Sequence, residues 1–296
     1  MKQIRINWLS IAVSLLMALL MGGPEPLHAA ETAALPFYLF DRGDGIHTSL
    51  LGTYGREKEL LFYPFYEYTR STNFEYKPSD LGFSGGGGRE FFGKAVEHEF
   101  LVFFAYGFSE SLMVEFESAL YSTVTFHKAS DDISAVPKRI RESGFGDTEA
   151  ELRWRLLHET DMRPEVLFFF KTVFPLQKNK KLLGTQHWEF VPGIQLTKGF
   201  PFGTFSLSGS LIYSTEDHKL DFSTYALEYV KRLSPAWRVA LAFESDQGEA
   251  QIIGEVQYSL SKNVVLKLNS GFGVTKKAPD VAPEIGVLFT FPFKKS

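Results

Sequence analysis

From about residue 58 onward the chain alternates apolar and polar positions with a period of two, in blocks of about ten residues separated by turn-forming stretches. That is the pattern of strands whose two faces meet different surroundings. In the clearest block Asp147, Glu149, Glu151, Arg153 and Arg155 share one face, while Thr148, Ala150, Leu152, Trp154 and Leu156 share the other. Downstream, Trp237, Val239, Leu241 and Phe243 oppose Arg238, Ala240, Ala242 and Glu244, and Ile252, Gly254, Val256 and Tyr258 oppose Gln251, Ile253, Glu255 and Gln257. About twelve such blocks can be traced: 58–70, 94–106, 111–124, 144–156, 164–175, 187–198, 203–213, 221–233, 236–245, 249–260, 263–273 and 282–293. A tilted strand needs about nine to eleven residues to cross a bilayer, and bacterial barrels use even strand numbers.

The connections carry the same message. Those at 71–93, 125–143 and 176–186 are long and polar, whereas those near 107–110, 200–203, 233–235 and 261–262 are short. Long outer loops alternating with short periplasmic turns characterise transmembrane barrels. The expected fold is therefore all-β: a transmembrane antiparallel up-and-down β-barrel of about 12 strands, spanning 57–296. Closure pairs every backbone group in lipid and leaves no exposed edge. Pro192, in mid-strand, predicts a bulge. Phe293 resembles the terminal aromatic residue of a barrel assembly signal, which makes the outer-membrane assembly machinery an expected partner.

The start of the chain reads differently. Lys2 and Arg5 precede an apolar run from Ile11 to Met21, and Leu27-His28-Ala29 offers a small-residue cleavage site. Residues 1–29 are thus expected to be a signal peptide for export in a Gram-negative-type envelope. The run is shorter than the ~18 residues a spanning helix needs. Residues 30–56 show no clear strand pairing and predict a periplasmic lead-in or a plug folded into the lumen.

Composition sharpens this picture. The chain has 29 Phe and 12 Tyr but no cysteine, so disulfides and a lipoprotein anchor are excluded. So much Phe would need a large core in a soluble protein, but in a barrel it can face lipid. A net charge of −4 without a basic tract argues against nucleic acid. His47, His127, His158, His187 and His218 are scattered without ligand spacing, and Asp41-Arg42-Gly43-Asp44-Gly45 lacks the spacing and closing Glu of a calcium loop. No metal and no cofactor is expected.

From Glu142 to Tyr213 the segments Glu142-Ser143-Gly144-Phe145-Gly146-Asp147, Trp154-Arg155-Leu156-Leu157, Arg163-Pro164-Glu165-Val166 and Val173-Phe174-Pro175 resemble a known family. It is the outer-membrane barrels of the MetA-pathway of phenol degradation family. The resemblance covers about half of the mature chain. It implies a barrel that transports small hydrophobic or aromatic compounds. Residues 37–93 depart from the family pattern, which marks a divergent member.

If the aromatic face points outward, the inner face is charged. The expected lumen-lining residues are Glu97, Glu99, Glu115, Glu117, Asp147, Glu149, Glu151, Arg153, Arg155, Lys171, Glu189, Glu228, Arg238, Glu255 and Lys267, joined by Glu59, Glu67, Glu165, Arg232, Glu244 and Glu284. Two arrangements remain open: a salt-bridged, filled interior, or an acid-lined passage with a basic rung at Arg153, Arg155 and Arg238. The expected role is an outer-membrane channel or uptake pore, with the bilayer, its lipopolysaccharide and a small-molecule solute as partners. A non-transporting structural barrel and an outer-membrane lipase are the alternatives. The lipase would need His98 beside Ser118 or Ser122 on the lipid-facing wall.

Overall fold

The computed structural model describes residues 35–48, 50–86, 88–216 and 218–293. The expected signal peptide, residues 1–29, lies outside the described residues. A single 3-10 turn at Phe37–Leu39 leads into a small hairpin of β1 (Ile46–His47) and β2 (Tyr54–Gly55). Thirteen longer strands follow: β3 (Glu59–Tyr76), β4 (Phe91–Gly107), β5 (Leu112–His127), β6 (Arg139–Gly144), β7 (Thr148–Leu157), β8 (Glu165–Val173), β9 (Glu189–Phe200), β10 (Gly203–Ser214), β11 (Lys219–Arg232), β12 (Trp237–Asp246), β13 (Glu249–Ser261), β14 (Val264–Gly273) and β15 (Ala282–Pro292).

Each long strand pairs antiparallel with its neighbours, and β15 returns to β3, with Phe289 opposite Phe62, to close the sheet. β6 and β7 both pair with β5, β6 along Ser122–His127 and β7 along Leu112–Ser118. They are two halves of one crossing, interrupted at Phe145-Gly146-Asp147, so the cylinder has twelve crossings. Gly146 sits at the break because a Cβ there would press on Ser122 Oγ and the Ala119 methyl, at 2.4 and 2.6 Å.

Burial follows the period of two. On β12 and β13 the outward Leu241 and Ile252 are exposed, while Ala240, Ala242 and Ile253 are buried. The same holds around the ring: Phe116, Trp154, Ile194, Leu207, Leu227, Leu268 and Ile285 all lie open on the outer wall. Exposed apolar side chains in a continuous band have one stable solvent, hydrocarbon. Among the described residues no helix is long and apolar enough to cross a membrane; the strands do the crossing.

One local expectation is revised. β9 runs through Pro192 in unbroken register with β8, Phe170 facing Pro192, so there is no bulge at the proline. The irregularity falls on the next pair instead, where the β10–β11 register shifts between Gly209 and Leu211. The tight turn at Gln247-Gly248 carries positive φ at both residues (44° and 91°), the twist-compatible turn of a two-residue hairpin.

At the outer end β3–β5 extend beyond the other strands and build a cap of their own. Tyr76, Leu81, Phe91, Phe126, Ala129 and Val136 form its core. Tyr76 OH donates to Asp132 at 2.7 Å and accepts the Ala129 amide. The 174–188 connection folds along β6, where Glu142 accepts the amides of Lys181 and Leu182 and Asp147 accepts that of Thr185.

Candidate functional site

The inner wall is built from the strand faces opposite lipid, and it encloses a cavity of about 610 Å³. Its floor is the loop of the β1–β2 hairpin, with His47, Thr48, Leu50, Leu51 and Thr53. The hairpin lies inside the barrel, toward the end bearing the short turns. Its strands pair with each other rather than with the wall, Ile46 facing Gly55, so wall side chains hold it. Arg42 bonds Glu159 at 3.0 Å and Glu165 at 2.9 Å, and Arg155 bonds the same Glu165 oxygen at 2.9 Å. Asp41 accepts the Arg232 amide. Higher up, His47 Nε2 lies 2.8 Å from Glu228 Oε2, and Arg153 donates to the His47 carbonyl at 2.8 Å. Arg238 donates to the Gly52 carbonyl, Gln257 to that of Leu51, and Lys267 to Thr53 Oγ1. Buried ions are stable only when paired and hydrogen-bonded, and here the pairing spans hairpin and wall.

Among the described residues ten carboxylates border the cavity: Glu67, Glu115, Glu117, Glu149, Glu151, Glu189, Glu228, Glu244, Asp246 and Glu284. Among the described residues three lysines and arginines face them, Arg153, Lys171 and Lys267. Each base already has a carboxylate: Arg153 with Glu115 and Glu151 at 3.0 and 2.7 Å, Lys171 with Glu149 at 3.1 Å, and Lys267 with Glu255 at 3.3 Å. Strand register sets like charges side by side, Glu117 opposite Glu149 and Glu67 opposite both Glu99 and Glu284. Directly opposed like charges on one sheet face cost stability. Hydroxyls hold several of these carboxylates, Thr69 on Glu67, Ser122 on Glu99 and Tyr63 on Glu284.

The other candidate residues are placed differently. Glu97 and Glu99 lie on the inner face of β4 beyond the cavity. Glu255 is buried beside Lys267 rather than on the cavity surface. Asp147 falls in the β6–β7 break, exposed, where it holds the 174–188 loop. Arg155 is buried in the Arg42–Glu165 network. Arg238 lines a second pocket of about 160 Å³ on the far side of the hairpin, together with Arg42, Arg56, Arg232 and Lys262. Arg232 and Arg238 are directly opposed across β11 and β12. The lumen is thus acidic on one side of the hairpin and rich in bases on the other.

The inner face is not polar throughout. Tyr63, Phe65, Leu101, Phe103, Ala105, Met113 and Leu288 form an apolar stripe over β3–β5 and β15, with Phe169 packed against it. Tyr63 and Phe65 stack at 4.8 Å. Two glycines let rings lie against the wall: a Cβ on Gly193 would fall 2.1 Å from the Phe169 ring, and one on Gly286 2.4 Å from that of Tyr63. β3 and β4 are aromatic on both faces, so alternation alone hid this stripe.

The serine–histidine pairing of a lipase is not formed. The His98 ring bonds Tyr66 OH at 2.7 Å and lies opposite Thr123. Ser122 bonds Glu99 on the inner face, and Ser118 bonds Thr148 opposite Val102, four positions along β4.

Among solved structures the chain is similar to the COG4313 outer membrane channel from Pseudomonas putida F1. The identity is 13%, over 80% of this chain and 97% of that one, with a TM-score of 0.55. Weaker likenesses are to the translocator domain of the autotransporter NalP from Neisseria meningitidis (12% identity, 80% and 90% of the chains, TM-score 0.46) and to the CymD monoaromatic hydrocarbon channel (8%, 81% and 90%, 0.37). No curated protein matches in sequence. The fold is that of an outer-membrane barrel, and its apolar belt sets it in that membrane. Residues 97–291, more than half of the chain, match the family described as "Putative MetA-pathway of phenol degradation", and the chain belongs to that family.

Proposed function

We propose that the protein is a passive outer-membrane channel for small solutes, with an acid-rich lumen that favours cations and a hairpin plug formed by residues 41–55. The observation that carries this reading is the imbalance of carboxylates over bases around the 610 Å³ cavity. Rings of carboxylates lower the energy of cations and raise that of anions in a low-dielectric wall. The family's association with phenol degradation supports aromatic compounds among the solutes. Residues 1–29 belong to this reading as a cleaved export signal, and the assembly machinery and lipopolysaccharide as envelope partners. N-terminal sequencing of protein purified from outer membranes would give a mature start near Ala30.

Reconstituted into planar bilayers under a KCl gradient, the protein is expected to show a reversal potential of the sign set by K⁺ permeation. A reversal potential of the opposite sign overturns the cation preference. A complete lack of conductance, with or without the hairpin, supports the structural-barrel alternative.

A further inference from the structure

The carboxylates of the outer cavity fall into two sets. Those bound to Arg153 and Lys171 are neutralised by the wall itself. Glu117, Glu189 and Glu228 make no ion pair with a lysine or arginine among the described residues. Glu228 is the sharpest case. It is 1% exposed, its Oε2 meets His47 Nε2, and its Oε1 is buried with no hydrogen-bond partner among the described residues. His47 Nδ1, on the same floor, is also buried and has no partner among the described residues. With Nε2 carrying the proton toward Glu228, Nδ1 is an acceptor. Among the described residues, two buried acceptors without donors therefore border a cavity that already holds an excess of negative charge.

The apolar side of the same cavity completes the recognition chemistry. Phe169, Phe103, Tyr63 and Phe65 line it together with Glu228 and Glu117. Phe169 stands beside the hairpin floor, because Arg153, which donates to the His47 carbonyl, also lies 5.6 Å from the Phe169 ring centroid. A pocket of this size is typical for one small organic molecule, bound by apolar walls with a few convergent polar groups.

We propose that the outer cavity is a binding site for an organic cation, a primary ammonium carried on an aromatic body. Its N–H donors satisfy Glu228 Oε1 and His47 Nδ1, and its ring lies on the aromatic stripe. This deepens the channel reading by naming a class of solute, yet binding at this site does not require conduction. The donor count favours an ammonium over an alcohol, which brings one donor and no charge. It disfavours a carboxylate, which the surrounding acids repel.

The test uses the full mature barrel in detergent micelles, titrated calorimetrically with 2-phenylethylammonium, 2-phenylethanol and phenylacetate. The ammonium is expected to bind at least about tenfold more tightly than the alcohol, and phenylacetate to give no heat. Loss of the charge-assisted hydrogen bond makes Glu228→Gln weaken the ammonium by about tenfold, and Glu117→Gln, which removes a negative charge from the same cavity lining, weakens it while leaving the alcohol unchanged. Phe169→Leu weakens ammonium and alcohol alike. Because Glu228 also seats the hairpin, Glu117→Gln decides the matter should Glu228→Gln fail to fold. The proposal is overturned if the alcohol binds as well as the ammonium, if the ammonium gives no heat, or if neither glutamate variant that folds changes its affinity. K⁺ conductance of the same preparation separates the two readings. Conduction without amine binding removes this proposal alone, and amine binding without conduction removes transport alone.

Discussion

Glu165 is 1% exposed and one of its oxygens accepts from both Arg42 and Arg155. Removing one member of a buried ionic network leaves charge without a partner, at a cost of about 3–5 kcal/mol. Glu165→Gln is therefore expected to unseat the hairpin while leaving the strands paired. Limited proteolysis would show it, with cleavage at Arg42 or Arg56 in the variant and not in the parent. His47 adds a dependence on pH. Burial first, and then the charges of Arg153, Arg42 and Lys267, hold its pKa well below the ordinary 6.5. The docked ring stays neutral while the released ring titrates normally, so docking is fully favoured above about pH 6.5 and weakens as pH falls below it, by up to about tenfold per unit. Hairpin cleavage should accelerate on acidification from pH 7 to 5 and do so far less in His47→Gln. A flat pH profile in the parent excludes the role. None of this was legible from single residues, since His47 and Asp41 to Gly45 carry no spacing that names partners such as those of Arg42, His47 and Asp41, which lie 117 to 191 positions away.

At the scale of elements, the period of two carried almost everything. The outward and inward faces of β7, β12 and β13 stand as their alternation predicts, because each strand meets hydrocarbon on one side and water or ion pairs on the other. The alternation failed where that difference vanishes, on β3 and β4, whose inner faces are also aromatic. It failed again at the β6–β7 break, where close packing of Gly146 stops the strand and turns Asp147 away from the lumen. A signal for the aromatic stripe does exist in the register, since Phe169 faces Gly193 and Phe65 faces Gly286, large residues set against none. Gly193→Ala must push the Phe169 ring off the wall. Overpacking of this kind costs about 1–3 kcal/mol. Urea unfolding in detergent should show a loss in that range, and Phe169→Leu in the same chain should restore most of it.

At the scale of the molecule, the ring of twelve crossings is complete without the hairpin, which contributes no ladder to it. Deleting residues 36–56 should leave a heat-modifiable barrel whose single-channel conductance is several times that of the parent. An unchanged conductance would mean that the hairpin does not obstruct the path. The charge asymmetry across the hairpin, acidic in the larger cavity and basic around Arg232 and Arg238, could not be read from strand faces alone. It depends on how far along the axis each inward residue sits, and that is fixed by register between strands.

The closing seam has one more consequence. β15 meets β3 through partners more than two hundred positions apart, Phe289 with Phe62 and Glu284 with Glu67, so ring closure waits for the last strand to be made. The hairpin is tethered to β3 by only residues 56–58. Biogenesis therefore couples two events. The amino-terminal segment must already lie on the concave side when the first and last strands zip together, or else it must enter afterwards through the narrow mouth it comes to occupy.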